Sequence, residues 1–438
     1  MCKLRKHSIV FVSSFSCLLL LLIFLFATQS YASTPSVFVS SINNPIGIAA
    51  SSDRVLVTLY GENPNRVWSI DSFGAQTVFA TLPGTPSVAT NVAISPGMGG
   101  FPSGSVYVTQ GPNIYRISPD GTSVVLFKTI PSLSTEYNGI TFDRVGSFGF
   151  DMIVTSSYNG EVWRLNSSGT ATLLVTNPIL IPGFGYTNLN AIRGPDVAPL
   201  TFAPYGGHLF VAQVVDPQGV YAVSPRGDLA FVATYAVAGG VYFVPNNPCN
   251  LGVSGGAFFV ANHEIRITKY PASDFAGLGG TAIVTNIGFG AGLFQLRSTD
   301  TGIQGSWFDQ ELDSNAGAGF VLDCALPVQI DIKPGVFPNT VNPNGPGVIK
   351  VGIVTSTTFN ATAVDKKTVR FGLTGTEAAP TKASLEDIDG DGDMDMIFTF
   401  NIKDTLLTCG SISAALTGKT RSGQSIEGSD SIRTVGCK

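Results

Sequence analysis

Nine residues of the sequence, DIDGDGDMD, carry five carboxylates: Asp387, Asp389, Asp391, Asp393 and Asp395. Like charges this close repel and must stay hydrated, so a bound cation would relieve them. The spacing points to one cation. Ca²⁺ takes six to eight oxygens, and a loop that wraps it has acids at positions 1, 3 and 5, Gly at 6, a carbonyl at 7 and an acid at 9. Asp387, Asp389 and Asp391 fill the first three positions and Gly392 the turn. Asp393 would lend its carbonyl, and Asp395 fills position 9. Position 12 is Phe398, where an EF-hand has a bidentate Glu, so the loop is expected between strands rather than helices. One tight loop of acids leaves no separate base or nucleophile beside the ion. The expected cofactor is therefore structural Ca²⁺, which makes folding stability depend on calcium.

The elements that must position such sites are legible in repeats. VWSIDSFG at Val67 returns as IYRISPDG at Ile114, VWRLNSSG at Val162 and VYAVSPRG at Val220. Alternating apolar residues that end in a Gly turn, at Gly74, Gly121, Gly169 and Gly227, predict a strand entering a hairpin. A second signature precedes each: VLVT at Val55, VYVT at Val106, MIVT at Met152 and LFVA at Leu209, with FFVA at Phe258 as a fifth. Inner-strand candidates lie ahead of these as GIAA, NVAIS, GITF, DVAPLTF and GVYFV. Four short strands per unit, a period of about 48 residues and no helical periodicity predict a β-propeller over residues 33–326. Stacking around an axis covers both faces of each small sheet. Six blades fit the length, with five and seven as alternatives. GLFQLRS, GSWFDQE and GFVLDC would build the sixth, and SVFVSSI at Ser36 would close the ring by pairing beside Val321.

This texture resembles the six-bladed propellers of the NHL-repeat and gluconolactonase-like superfamily. That resemblance implies a ligand site in the channel where inner strands begin, and, in its calcium-dependent lactonases and esterases, a metal held there by Glu, Asn and Asp. Asn91, Asn138 and Asp196 match an Asn-Asn-Asp order at inner-strand starts of consecutive blades. The first blade offers no acid between Ile42 and Ser52, which leaves such a site one carboxylate. The plainer reading has these three side chains capping strand starts through local hydrogen bonds. The repeated Trp68, Tyr115, Trp163 and Tyr221 are expected to pack between blades rather than to stack sugars. Asp309, Glu311 and Asp313 are read as a solvated loop. His208 and His263 are expected on or beside second strands, and no GxSxG occurs.

After Cys324 the texture changes to VIKVGIVTS, TVRFGLTG, MDMIFTFNI, SISAALTG and SIRTVGC, alternating apolar runs with frequent turns. These predict a β-sandwich over residues 327–438. IDIKPGVFPNTVNP, EDIDGDGDMDMIFTF and IEGSDSIRTVGCK resemble a C-terminal module of secreted bacterial proteins, which implies export from a bacterium and no particular activity.

The first 32 residues read as a secretory signal: Lys3, Arg5 and Lys6, an apolar run from Ile9 to Phe26, then small residues at Ser30 and Ala32 before a cut, with an uncleaved membrane anchor as the alternative that the length of the apolar run offers. Losing those three charges takes the net charge from −5 to −8, and no basic patch suggests nucleic acid. No second stretch has the length of a membrane span. Cys249, Cys324, Cys409 and Cys437 remain, and in an exported chain they point to two disulfides in one of three pairings; Cys249–Cys324 with Cys409–Cys437 is the pairing expected, because neither bond then crosses the domain boundary. The leading expectation is a secreted, periplasmic or cell-surface binding or scaffold protein whose ligand is a carbohydrate, protein or small molecule. The rival is a calcium-dependent lactone or ester hydrolase using Asn91, Asn138 and Asp196.

Overall fold

The computed structural model describes residues 33–437 apart from short segments at 158–159, 176–178, 182–184, 188–191, 214–217, 236–237, 247, 252–254, 263–264, 287–291, 311–314, 323, 357–358 and 422–424. The expected signal segment therefore lies outside the described residues. Apart from a hairpin of Ile179–Ile181 with Gly185–Thr187, the strands up to Phe320 form six four-stranded antiparallel sheets. Their innermost strands are Pro45–Ala50, Thr90–Ile94, Gly139–Phe142, Ile192–Val197, Ala238–Phe243 and Asn315–Phe320. Each neighbours the next, and the last neighbours the first, so the sheets are blades 1 to 6 of a closed propeller.

Packing follows from this arrangement. Six apolar clusters each lie between two consecutive blades, including one that joins blade 6 to blade 1. The repeated hairpin glycines explain how close the blades come. Gly74, Gly121, Gly169 and Gly227 all have positive φ. A side chain on them would meet the backbone carbonyls of Phe38, Phe79, Phe127 and Leu174, each on the outer strand of the preceding blade. The turn favours glycine at all four, and at Gly121 and Gly227 the neighbour's carbonyl excludes a side chain as well. Tyr115 and Tyr221 are buried as expected. Trp68 and Trp163 are half-buried, and their indole N–H groups donate to Glu62 (3.1 Å) and Glu161 (2.9 Å).

Ring closure departs from the expected pairing in two ways. Ser36–Val39 is the outermost strand of blade 6, but it pairs with Arg266–Tyr270, Val37 standing opposite Thr268. Val321 instead continues the innermost strand and bridges Ala50 of blade 1. The inner strand lies three positions inward, so the amino-terminal strand cannot reach it. The fifth and sixth units also exchange strands. Phe258–Asn262 and Arg266–Tyr270 belong to blade 6, between the inner and outer strands. Blade 5 is completed by Ala282–Asn286, Leu293–Thr299 and Gly302–Asp309, so GLFQLRS and GSWFDQE are its third and fourth strands. The chain thus leaves blade 5 after one strand, lays two in blade 6 and returns. The stretch AIVT at Ala282 matches the second-strand signature and is the signal that marks the true partner of GVYFV.

The remaining strands form a β-sandwich. One sheet joins Leu326–Pro327, Ser425–Ser431, Ser413–Lys419 and Arg370–Gly372; the other joins Ile330–Ile332, Val348–Ile353, Asp395–Asn401 and Lys382–Glu386. Ile330, Val351, Phe398 and Phe400 from one sheet meet Phe371, Leu416 and Ile426 from the other in a single core. Period-2 alternation puts these residues on one face of each strand. Ser425–Ser431 and Lys382–Glu386 escape sequence reading because their exposed sides leave little apolar pattern. Both expected disulfides are present, Cys249–Cys324 and Cys409–Cys437.

Candidate metal loop and propeller rim

The acid loop connects Lys382–Glu386 to Asp395–Asn401, two antiparallel neighbours. Its anchor is Asp395, fully buried at the first position of its strand. One carboxylate oxygen accepts the Thr355 N–H at 2.7 Å and the other the Ile388 N–H at 2.9 Å. Ile388 folds over Gly352 of the adjoining strand, where any β-carbon would collide with it. Asp387 accepts N–H groups from Gly390 (2.7 Å) and Gly392 (3.1 Å), which curls the loop on itself.

Three of the five expected acids converge. Oxygens of Asp387, Asp389 and Asp395 lie within 4.8 Å of one another. Asp391 is not in that group; its carboxylate accepts the Asp393 N–H at 3.0 Å. Asp393, expected to offer only its carbonyl, has a buried Oδ1 without a hydrogen-bond partner. Partial burial and the neighbouring carboxylates of Asp391, Asp395 and Asp389 push its carboxyl up. An all-oxygen donor set of this charge fits a hard cation such as Ca²⁺.

In the ring, the three amide and acid side chains turn to backbone groups. Asn91 donates to the Asn138 carbonyl at 3.0 Å, bridging blades 2 and 3. Asn138 donates to the carbonyls of Gly111 (2.8 Å) and Ser134 (2.7 Å). Asp196 lies near the end of its inner strand rather than at its start. It accepts the N–H of Val197 (2.9 Å) and, across to blade 5, of Phe243 (2.8 Å). Desolvation raises its carboxyl to about 6, the two N–H bonds and Arg144 offsetting part of that.

The same rim carries features that sequence reasoning missed. Thr90, Gln110, Asn138, Thr155, Ser157 and Thr285 each keep a buried side-chain oxygen with no partner. All lie where inner strands begin or second strands end, as the pairings Thr90↔Gln110, Gly139↔Thr155 and Gly240↔Thr285 show. Beside them the half-buried rings of Tyr60 and Tyr137 stack with centroids 6.1 Å apart. Alternating strands hide these oxygens from sequence reading, because only burial distinguishes them from solvated polar residues.

Other expected residues fall away from both places. Asp309 is buried, not solvated: it ends a blade 5 strand and accepts the Tyr270 hydroxyl at 2.8 Å. Tyr270 is pushed well up by burial and then by Asp309. Glu311, Asp313 and His263 lie outside the described residues. His208 directly precedes the second strand of blade 4, its ring against Tyr205. A cavity of about 510 Å³, lined by Ser52, Cys249, Cys324, Lys419 and Glu427 among others, separates the propeller from the sandwich.

No protein-family model and no curated protein matches the sequence. Solved structures resemble it in part. Virginiamycin B lyase from Staphylococcus aureus is 14% identical over 62% of this chain and 87% of its own, with a TM-score of 0.36. A gluconolactonase from Xanthomonas campestris is 11% identical over 55% and 89%, with a TM-score of 0.29. The extracellular domain of a protein described as a one-component system, from Bacteroides thetaiotaomicron, is 10% identical over 93% of this chain and 57% of its own, with a TM-score of 0.35. The six-bladed architecture rests on the strand pairing above rather than on these likenesses. Among the described residues, no helix is long and apolar enough to cross a membrane.

Proposed function

We propose that this chain is an extracellular binding or scaffold protein whose propeller rim takes a polar ligand and whose sandwich is braced by Ca²⁺. One observation carries the binding half: buried oxygens of Gln110, Asn138, Thr155 and Thr285 stand without partners at one rim. An unmet buried acceptor costs about 1–3 kcal/mol unless water or a ligand satisfies it. The adjacent Tyr60–Tyr137 stack adds an apolar face. Together they favour a neutral, hydroxyl-rich ligand such as a carbohydrate over a charged one. The two disulfides suit an oxidising compartment. A signal cut and a bacterial source remain the reading of the sequence.

The lactone or ester hydrolase is not favoured, because Asp196 lies near the end of its inner strand while Asn91 and Asn138 stand at the starts of theirs, and both Asp196 oxygens accept backbone N–H groups. For the metal half, Asp387, Asp389 and Asp395 would hold the ion, which would supply positive charge and no reaction step. Screening the mature protein against neutral oligosaccharides by calorimetric titration tests the binding half. Binding that weakens at least tenfold in Asn138→Ala or Tyr137→Ala supports it. Hydrolysis of lactones or aryl esters that needs Ca²⁺ and is lost in Asp196→Ala overturns it.

A further inference from the structure

Asp274 is buried in the short 3₁₀ turn Ala272–Phe275, which follows the strand Arg266–Tyr270. Both its oxygens are taken by one residue: Oδ2 accepts the Thr34 N–H at 2.7 Å and Oδ1 the Thr34 hydroxyl at 3.0 Å. Among the described residues no lysine, arginine or histidine forms an ion pair with it. Its neighbourhood is acidic, since Asp274 and Asp309 both disfavour ionisation of Tyr270. A buried carboxylate without a cation is costly. Thr34 stands two residues before the ring-closing strand Ser36–Val39, and the expected cut after Ala32 stands one residue before Thr34.

These two facts meet at Ser33. We infer that cutting the Ala32–Ser33 bond turns the new amino terminus into the missing partner of Asp274. A signal endopeptidase would add water across the bond; Ala32 takes the oxygen as its carboxylate, and Ser33 leaves as an α-ammonium. Successive backbone nitrogens are about 3–3.6 Å apart, so that ammonium stands within about 6 Å of the carboxylate. At that range an opposite charge favours both ionised forms. Uncut, the same nitrogen is a neutral amide. The cut is thereby a maturation step for the ring: it fastens the leading end of the strand that closes blade 6 to the turn after its pairing partner. Ring closure and release from the leader become one event.

The test is a four-way cycle on the full mature chain. One protein begins at Ser33 and a second carries a Gly-Ser extension ahead of it; each is made with Asp274 and with Asp274→Asn. The extension is expected to lower the melting temperature of the propeller by about 2–4 °C with Asp274 present, and by under about 1 °C where Asp274→Asn puts a neutral amide in its place. Equal loss in both backgrounds overturns the inference. Thr34→Val serves if Asp274→Asn does not fold: it removes the hydroxyl bond and keeps the carboxylate, so the extension must still lower the melting temperature, and an extension without effect there overturns the inference. Mass analysis of the exported protein must also find Ser33 first; a different first residue overturns it.

Discussion

In the propeller, Asn91, Asn138 and Asp196 turn to backbone groups, two of them across to the next blade. In the sandwich, Asp387, Asp389 and Asp395 turn toward one another. By residue type both regions are candidate metal sites. The difference lies in what neutralises the polar groups. These three ring residues are two amides and a single acid: backbone groups take the amide N–H groups and the Asp196 carboxylate, and the Asn138 Oδ1 is left for a ligand. No second carboxylate stands among those three ring residues, whereas the three converging carboxylates of the loop carry more negative charge than the N–H groups of Gly390, Gly392, Thr355 and Ile388 offset. The ring therefore holds itself by closure, through its interblade clusters, its amino-terminal strand and the Cys249–Cys324 bond. The sandwich loop is expected to be held by an ion.

The contrast breaks if closure and calcium are not separable. The largest effect is expected from replacing Cys249 and Cys324 together by Ser, since that bond joins residues 75 apart in sequence. Chain entropy sets the loss at about 4 kcal/mol, and differential calorimetry should show it in the propeller transition alone. Next is Asp395→Ala. It strands the N–H groups of Thr355 and Ile388 and removes a converging oxygen. About 3 kcal/mol should be lost from the sandwich in a urea titration, with the propeller transition unmoved.

Chelation sharpens the contrast further. If Ca²⁺ is present at about 100 times its dissociation constant, its removal by EDTA should cost the sandwich about 2.7 kcal/mol. An unchanged melting curve would refute the bracing ion. A comparable effect, confined to acid pH, concerns Asp196, raised to about 6 by desolvation. Its ordinary carboxyl ionises near pH 3.8, so between there and pH 6 the unfolded chain binds fewer protons than the folded one. Stability from this group is thus present below pH 3.8 and is lost as pH rises through about 6. The propeller should lose up to about 3 kcal/mol over that window, and Asp196→Asn should flatten the slope.

Much of this is legible in the residues alone, and the failures share a cause. The hairpin glycines at 74, 121, 169 and 227 are legible because one position in every one of those blades meets the same demand, a positive φ. The acid loop is legible because five aspartates in nine residues have few other uses. The exchange between blades 5 and 6 is hidden, because FFVA and AIVT suit a second strand equally and only pairing distinguishes them. The rim oxygens and the buried Asp309 and Asp274 are hidden for a related reason: a polar residue's burial depends on what the rest of the chain lays over it.

Local chemistry, then, belongs to the sequence: strand periodicity, turn glycines, cysteine pairs and the oxygen-rich loop all follow from residue types at short spacing. The tertiary structure alone decided which strand closes the ring, which three of five aspartates converge and which acids lose their water. Those outcomes depend on segments far apart in the chain meeting in space, and no short-range preference encodes such a meeting.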